Sequence, residues 1–202
     1  MRKFLTLLLL VVSAFTASAE FRWGPTAGWN ISNYYWKQPL LHSDQRSGFQ
    51  AGLMGELMIP GIGFGIDLGA RYAYRDATVN LGDFPVWSTD GYQNGSLRLH
   101  RLEIPLNLRF KWTRMDGLEH YVAPFAFVGP LFAFNLAQSD CKAIEHPAGS
   151  VGLQFGIGGE FLEHIQLSAS YIWGTCYDIR TVKLDNNSAR NSAWTINLAY
   201  LF

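Results

Sequence analysis

The sequence R-L-E-I-P-L-N-L-R-F-K-W at Arg101–Trp112 alternates apolar and polar side chains without a break. One face holds only leucine, isoleucine, phenylalanine and tryptophan, whereas the other carries arginine, lysine, glutamate, asparagine and proline. A period of two residues is typical of a β-strand, because successive side chains of a strand point to opposite faces. At about 3.3 Å per residue the stretch is long enough to cross a bilayer at a tilt, which takes about 9–11 residues. The stretch therefore predicts a transmembrane strand with hydrocarbon on one side and a polar interior on the other.

The same alternation recurs along most of the chain. The further predicted strands are Phe21–Ile31, Gly48–Ile59, Ile62–Arg75, His120–Asn135, Ser150–Phe161, Ile165–Gly174 and Ser192–Phe202. The connections between them alternate long and short, which predicts an all-β fold, an eight-stranded antiparallel up-and-down transmembrane β-barrel with both termini at the short-turn end. Pro124 and Pro130 interrupt the pattern of His120–Asn135 and leave its register open, since proline lacks the ladder N–H.

The first residues have the three parts of a secretory signal peptide. Arg2 and Lys3 form a basic start, Phe4–Phe15 is almost wholly apolar, and Ala17-Ser18-Ala19 is a small-residue cleavage site. We therefore predict a signal peptide over residues 1–19 and an outer-membrane β-barrel domain over residues 20–202.

Composition and spacing argue against several classes of function. The formal net charge is zero, so the chain has no basic field that would attract nucleic acid. The glycine runs at 61–65 and 156–159 lack the strand–turn–helix setting of a nucleotide loop, and we expect their glycines to make room for long arginine and glutamate side chains. The histidines are dispersed and the cysteines have no metal-site spacing, so the sequence predicts no metal and no cofactor.

Aromatic residues gather near both ends of the predicted strands, as they do at the two lipid–water interfaces around a membrane barrel. The predicted aromatic girdle comprises Trp29, Tyr72, Tyr74, Trp112, Tyr171, Trp173, Trp194 and Phe202. Other aromatics fall in the predicted long connections, where exposed clusters often mark binding surfaces. These candidates for binding a partner, which fit packing of the loops on one another equally well, are Tyr34, Tyr35, Trp36, Trp87 and Tyr92.

The polar face predicts a charge network inside the barrel. Its members are Glu56, Asp67, Arg71, Arg75, Arg101, Glu103, Arg109, Lys111 and Glu160. An eight-stranded barrel has an interior that side chains just fill, and an unpaired buried charge is costly. We therefore expect paired groups that plug the lumen, with Arg71 and Arg101 beside Glu103 and Arg109 beside Glu56 or Asp67. A narrow selective pore is the alternative.

The two cysteines, Cys141 and Cys176, lie in the third and fourth long connections. Alternation of the strands places both connections at the same end of the barrel, about 10 Å apart at the usual strand spacing. Export would bring them into an oxidising compartment. The sequence therefore predicts a disulfide between them.

Four stretches resemble a known group of proteins. They are R-L-E-I-P-L-N-L-R-F-K at 101–111, A-P-F-A-F-V-G-P at 123–130, F-G-I-G-G-E-F at 155–161 and A-Y-L-F at 199–202. They resemble the porin-like outer-membrane β-barrel families of Gram-negative bacteria, in particular the Bacteroidetes type that includes the PorT-like proteins. The resemblance implies residence in the outer-membrane lipid bilayer and recognition of Phe202 by the barrel-assembly machinery, and it carries no catalytic residues onto this chain.

We therefore predict an outer-membrane protein that is structural or binds an extracellular or envelope partner through its loops, and that is not an enzyme. A narrow transport pore and a lipid-modifying barrel enzyme are the alternatives, and His164 and Ser168 are the nearest pair for the latter. A soluble lipocalin-like barrel would instead place its apolar face inside and a charged face outside.

Overall fold

The structure, a computed structural model, describes residues 20–36, 42–59, 61–80, 95–112, 117–138, 144–145, 149–176, 179–181 and 188–202. Within these ranges the strands are β1 Glu20–Trp36, β2 His42–Met58, β3 Phe64–Asn80, β4 Gly95–Lys111, β5 Val122–Gln138, β6 Ile144–Glu145, β7 Gly149–Phe161, β8 Ile165–Gly174, β9 Ile179–Thr181 and β10 Ser188–Tyr200. A single turn of 3₁₀-helix, Leu118–His120, precedes β5. Helices able to cross a bilayer are absent from the described part of the chain.

The long strands close into a barrel. Each pairs antiparallel with the next in the order β1-β2-β3-β4-β5-β7-β8-β10, and β10 returns to pair with β1 from Thr26↔Ala199 to Trp36↔Ala189. The short strands β6 and β9 pair with each other, and β9 extends the edge of β10 beyond the end of β8. The predicted fold class, a closed eight-stranded antiparallel up-and-down barrel, is confirmed.

Several strands run further toward the long connections than the sequence predicted. β1 continues to Trp36, β3 continues to Asn80, and β4 begins at Gly95. Beyond the bilayer both faces of a strand can meet water, so the ladder continues although the apolar–polar alternation has stopped. As a result Tyr34, Tyr35 and Trp36, which we placed in a connection, belong to β1.

The two faces of the barrel have opposite polarity. On β4, Leu106, Leu108 and Phe110 are exposed on the outside, whereas Glu103 and Arg109 are buried inside. This is the arrangement that alternation in Arg101–Trp112 predicted, and it is the reverse of a lipocalin-like barrel. The exterior therefore suits hydrocarbon, and the polar groups must satisfy one another inside.

Strand β5 differs because it is apolar on both faces. Phe125 and Phe127 point inward and are buried, and they lie against glycines of β7. A Cβ on Gly156 would lie 2.6 Å from the Phe127 ring, and one on Gly158 would lie 2.5 Å from the Phe125 ring. Our expectation that such glycines make room for charged side chains was therefore wrong here, since they make room for phenylalanine.

Two prolines of the barrel interrupt the backbone pairing of β4 with its neighbouring strands. Its pairing with β3 stops at Leu68↔Leu106 and resumes at Arg71↔Glu103, a gap that contains Pro105. Its pairing with β5 lapses between Pro105↔Leu131 and Leu108↔Val128, a gap that contains Pro130. Each gap follows from the missing N–H of proline. β4 thus lacks backbone pairing with both neighbouring strands at about the same level along the barrel axis. β5 keeps its register because its pairing with β7 is uninterrupted.

The outward aromatic side chains form two belts. Near the long connections Phe49 lies 5.6 Å from Tyr74, and Tyr171 lies 4.9 Å from Trp194, measured between ring centroids. At the short-turn end Phe64 lies 5.0 Å from Phe110. Exposed members at either end include Trp29, Trp173, Trp194, Trp112 and Phe202.

Candidate functional site: the charge network of the lumen

The charges near the short-turn end are organised around two facing carboxylates. Glu56 on β2 and Asp67 on β3 lie directly opposite each other in the register, a position in which like charges destabilise a strand pair. Arg109 of β4 bridges them, with its Nε 2.8 Å from Asp67 Oδ2 and its Nη1 2.8 Å from Glu56 Oε2. The guanidinium is also stacked on the Phe125 ring, with Cζ 4.0 Å from the centroid, so both charge and aromatic packing hold it in place.

A second bridge joins Glu56 to Glu160 of β7. Arg22 donates to Glu56 Oε1 at 2.6 Å and to Glu160 Oε2 at 2.8 Å. Lys111 lies 3.1 Å from Glu56 Oε1 and 2.7 Å from Glu160 Oε2. Gln166 of β8 donates to both carboxylates at 2.6 Å and accepts from Arg109 at 2.9 Å.

These residues form what we call the inner layer, which comprises Arg22, Glu56, Asp67, Arg109, Lys111, Glu160 and Gln166. Its three carboxylates and three cations balance formally, and each cation touches two carboxylates. Glu56 is fully buried. Desolvation of buried charges is repaid only by good geometry and further hydrogen bonds, and the layer supplies both.

A second group, the outer layer, lies nearer the long connections and consists of Arg71, Arg75, Arg101, Glu103 and Gln154. Arg71 Nε lies 2.9 Å from Glu103 Oε2, and Arg75 Nη2 lies 2.5 Å from Glu103 Oε1. Arg101 interacts electrostatically with the same carboxylate, and Arg71 also donates to Gln154 at 3.3 Å. Two cations, Arg71 and Arg75, therefore share the Glu103 carboxylate.

The space between the layers is small. A cavity of about 60 Å³ lies there, lined among others by Asp67, Asn107 and Gln154. It has room for roughly four water molecules. A wider hollow of about 370 Å³ opens at the short-turn end below Arg22 and Lys111. The described side chains therefore fill the middle of the lumen.

The structure places every residue of the predicted charge network inside the barrel. All nine are buried, and Arg109 contacts both Glu56 and Asp67 rather than one of them. Arg22 and Gln166 also belong to the network, although we did not predict them as members. Their positions gave a signal, because each lies on the polar face of its predicted strand, but their partners lie on distant strands.

The predicted binding aromatics do not form one group. Tyr34 is buried on the inward face of β1, so its assignment to an exposed loop was wrong. Tyr35 is exposed on the opposite face. Trp36 ends β1, whereas Trp87 and Tyr92 lie outside the described residues.

The structure describes only one of the two cysteines of the predicted disulfide. Cys176 follows β8 and is a free, exposed cysteine in the structure. Cys141 lies outside the described residues, and so does the predicted signal peptide.

The short-turn end carries His164 and Ser168, the pair considered for catalysis. His164 is exposed and its Nδ1 donates to the Leu162 carbonyl at 2.8 Å, whereas Ser168 lines the cavity between the layers. They belong to different environments. In the same turn the hydrogen bond with His120 holds the pKa of the Glu163 carboxyl below its ordinary value, and Arg22 Nη1 donates to the Glu163 carbonyl at 2.5 Å.

An apolar exterior with two aromatic belts, closed around a buried charge network, defines the class of outer-membrane β-barrel proteins. The sequence matches the outer membrane protein beta-barrel domain over residues 4–202, and the chain belongs to this family. It resides in the outer membrane, and its apolar face contacts the lipid bilayer. A comparison with curated proteins found no match.

The chain is similar to several solved structures at low sequence identity. Neisserial surface protein A is 13% identical with a TM-score of 0.52, and the alignment covers 91% of this chain and 99% of that one. Ail of Yersinia pestis, solved with the heparin analogue sucrose octasulfate, is 14% identical with a TM-score of 0.46 over 91% and 99% of the two chains. The outer membrane enzyme PagL is 9% identical with a TM-score of 0.45 over 86% and 97%. The similarity to Neisserial surface protein A supports the fold.

Proposed function

We propose that the protein is a non-enzymatic outer-membrane barrel of the porin-like Bacteroidetes type that includes the PorT-like proteins. It holds the outer ends of its strands and their connections outside the cell, where they bind an extracellular or envelope partner. The observation that supports this most is the filled lumen, because a plugged barrel acts through what it displays rather than through what it conducts.

The alternatives receive less support from the described residues. A pore needs a continuous aqueous path, whereas the cavity between the layers measures only about 60 Å³. A hydrolase needs a nucleophile within hydrogen-bond reach of its base, whereas His164 donates to the Leu162 carbonyl. Short turns of such barrels face the periplasm, so the long connections are proposed to face outward.

Planar-bilayer recording tests the closed lumen. The refolded full chain should show no stable large conductance, because the inner layer ties β1, β2, β3, β4, β7 and β8 together across the lumen. Glu56→Ala combined with Arg109→Ala removes two of the bridging side chains and should raise conductance. A stable large conductance from the unmodified chain would contradict the plug.

Display of a binding surface is tested with a pair of tyrosine variants. Tyr35 is exposed at the outer end of β1, and Tyr121 is exposed at the opposite end of the barrel. In a pull-down with intact cells, Tyr35→Ala should lower retention of the captured extracellular protein, whereas Tyr121→Ala should not. Equal loss of retention in both variants would indicate a general folding defect. Unchanged retention in both variants would show that Tyr35 is not part of the binding surface.

We also propose that residues 1–19 are a cleaved signal peptide and that Phe202 is recognised by the barrel-assembly machinery. The Phe202 ring is exposed and lies 5.1 Å from the Tyr200 ring between centroids. N-terminal sequencing of membrane-extracted protein should begin at Glu20. Phe202→Ala should lower the assembled fraction in cells more than Phe161→Ala, which removes another outward ring from the same rim.

A further inference from the structure

The outside of the barrel carries a groove of about 610 Å³ across strands β1 to β4. Its outward lining residues include Trp23, Leu53, Gly55, Leu68, Ala70 and Ile104. These residues are apolar and lie on the face that contacts the bilayer, so the groove opens into hydrocarbon. The strands that border it are described without interruption along the groove.

Two small residues on neighbouring strands form the floor of the groove. Gly55 on β2 pairs with Trp23 on one side and with Leu68 on the other, so a position without a side chain lies between two large ones. Ala70 on β3 pairs with Leu53. Gly55 and Ala70 are therefore diagonal neighbours on one face of the sheet, and Leu53 and Leu68, each more than half exposed, project on either side of them.

The barrel wall behind the groove is thin. The groove lies over the stretch where β3 and β4 are not paired, between Leu68↔Leu106 and Arg71↔Glu103. Gly69 lies in this stretch and borders both the groove and the cavity between the two charged layers. A molecule that fills the groove would therefore cover the place where the lumen comes close to the lipid.

The direction of the groove follows from the register of the barrel. Following paired residues once around the barrel, from Phe21 of β1 through β2 and onward, leads back to β1 at Ile31, nearer the long connections. Paired positions thus climb from β1 to β4, whereas the strands tilt the opposite way by about 35–45°. The step from Gly55 to Ala70 goes across by about 4.8 Å and along the strand by about 6.7 Å, and the two sideways components nearly cancel. The groove therefore runs close to the barrel axis, as the acyl chains of a bilayer do.

We propose that the groove is a binding site for one acyl chain of a phospholipid whose headgroup lies at the short-turn end of the barrel. The groove is continuous with the surface that contacts the bilayer, so the surrounding lipid supplies the chain. At the short-turn end it is bordered by Phe21 and Trp23, and the Trp23 ring lies 5.8 Å from the Phe202 ring between centroids. Aromatic rings of this kind mark the lipid–water interface, which is where a headgroup lies.

A second copy of the barrel fits the groove less well than a lipid chain does. The wall of a barrel is convex, so a neighbouring barrel would rest on the projecting side chains of Leu53 and Leu68 and leave the floor at Gly55 and Ala70 uncovered. A single flexible chain can reach that floor. The proposal goes beyond the proposed function, because it concerns one lipid held at a defined place rather than a partner outside the cell.

The first test uses the unmodified full chain in phosphatidylcholine vesicles. A small fraction of the lipid carries a photoreactive diazirine midway along one acyl chain, and mass spectrometry maps the crosslinked peptides after irradiation. Crosslinks should concentrate on residues 53–55 and 68–70, because a chain in the groove stays beside them. Equal crosslinking of the outward residues of β7, β8 and β10 would overturn the proposal, since it would show that lipid contacts the barrel evenly.

The second test fills the groove. Ala70→Phe places a ring on the groove floor and keeps the outward face apolar, so the barrel should still fold, which urea unfolding in vesicles checks. Ala169→Phe is the matched control, because it makes the same change at an exposed outward position of β8. Crosslinking at residues 53–55 should be lost in Ala70→Phe and kept in Ala169→Phe. Unchanged crosslinking in Ala70→Phe would contradict the site.

The third test identifies the occupant. Native mass spectrometry of protein extracted from membranes in a mild detergent should show one retained phospholipid on the unmodified chain and on Ala169→Phe, and none on Ala70→Phe. A chain that retains no lipid, or that retains lipopolysaccharide instead, would overturn the assignment to a phospholipid. A dimer that Ala70→Phe abolishes would assign the groove to a second copy of the barrel.

Discussion

Glu56 is the residue whose replacement tests the inner layer most directly. Its carboxylate is fully buried and contacts Arg22, Arg109 and Lys111 at 2.6, 2.8 and 3.1 Å. Glu56→Gln preserves the shape of the side chain and removes its charge. Three cations then face two carboxylates, which leaves one buried positive charge uncompensated. Breaking a buried ion pair in this way destabilises a protein by about 3–5 kcal/mol.

The assay is reversible urea unfolding of the barrel in lipid vesicles, followed by tryptophan fluorescence. The midpoint should fall while the slope stays the same, because the surface exposed on unfolding is unchanged. Glu163→Gln is the matched control, since it neutralises an exposed carboxylate at the same end of the barrel. It should shift the midpoint far less than Glu56→Gln, because its partner His120 is exposed as well.

A double variant separates charge imbalance from loss of hydrogen bonds. Lys111→Met removes one cation of the inner layer, so Glu56→Gln with Lys111→Met restores two carboxylates and two cations. If imbalance causes the destabilisation, the double variant should be more stable than Glu56→Gln alone, and the coupling appears in the double-mutant cycle. A loss of less than about 1 kcal/mol in Glu56→Gln, below the range for a broken buried pair, would refute the argument.

Further predictions concern the lipid-facing side of β4, the short turn that contains Glu163, and the two cysteines. Leu106→Arg places a cation on the lipid-facing side of β4 and should lower stability in vesicles by about 2–4 kcal/mol, as measured by the same urea titration. His120→Ala should raise the pKa of Glu163, measured by carboxyl NMR titration, because the hydrogen bond with His120 holds it below its ordinary value. Any stabilisation from that bond is present above the ordinary carboxyl pKa and is lost as the pH falls through the lowered pKa. Mass spectrometry of unreduced protein should find Cys141 joined to Cys176. Detection of two alkylatable thiols in freshly isolated membranes would contradict the predicted disulfide.

The sequence is informative about the barrel where the bilayer imposes a difference between the two faces. In β4 every second residue meets lipid and every other residue meets the lumen, so polarity alone assigns Leu106 outward and Arg109 inward. The ends of the strands carry no such signal. Where β1 leaves the bilayer both of its faces can be polar, and Tyr34 is buried by neighbouring strands that the local sequence does not show.

The partners inside the lumen depend on register, which one sequence does not specify. Arg109 bridges Glu56 and Asp67 because β2 and β3 place those carboxylates side by side, a fact that follows from the pairing of three strands. Arg22 reaches Glu160 across 138 residues of sequence. Its inward direction could be predicted from alternation, but its partner could not.

Strand β5 shows what the charge network contributes to the fold. A strand with one polar and one apolar face has a single favourable register, because a slip by one residue would turn charged side chains toward lipid. β5 has two apolar faces and lacks this constraint, so its register comes from its neighbours. On β7, the glycines at 156 and 158 leave space that the inward rings of Phe127 and Phe125 occupy, and on β4, Arg109 stacks on Phe125. The ion pairs of β2, β3, β4 and β7 therefore do more than fill the lumen. They fix the strands that in turn position β5, whose own sequence does not distinguish inside from outside.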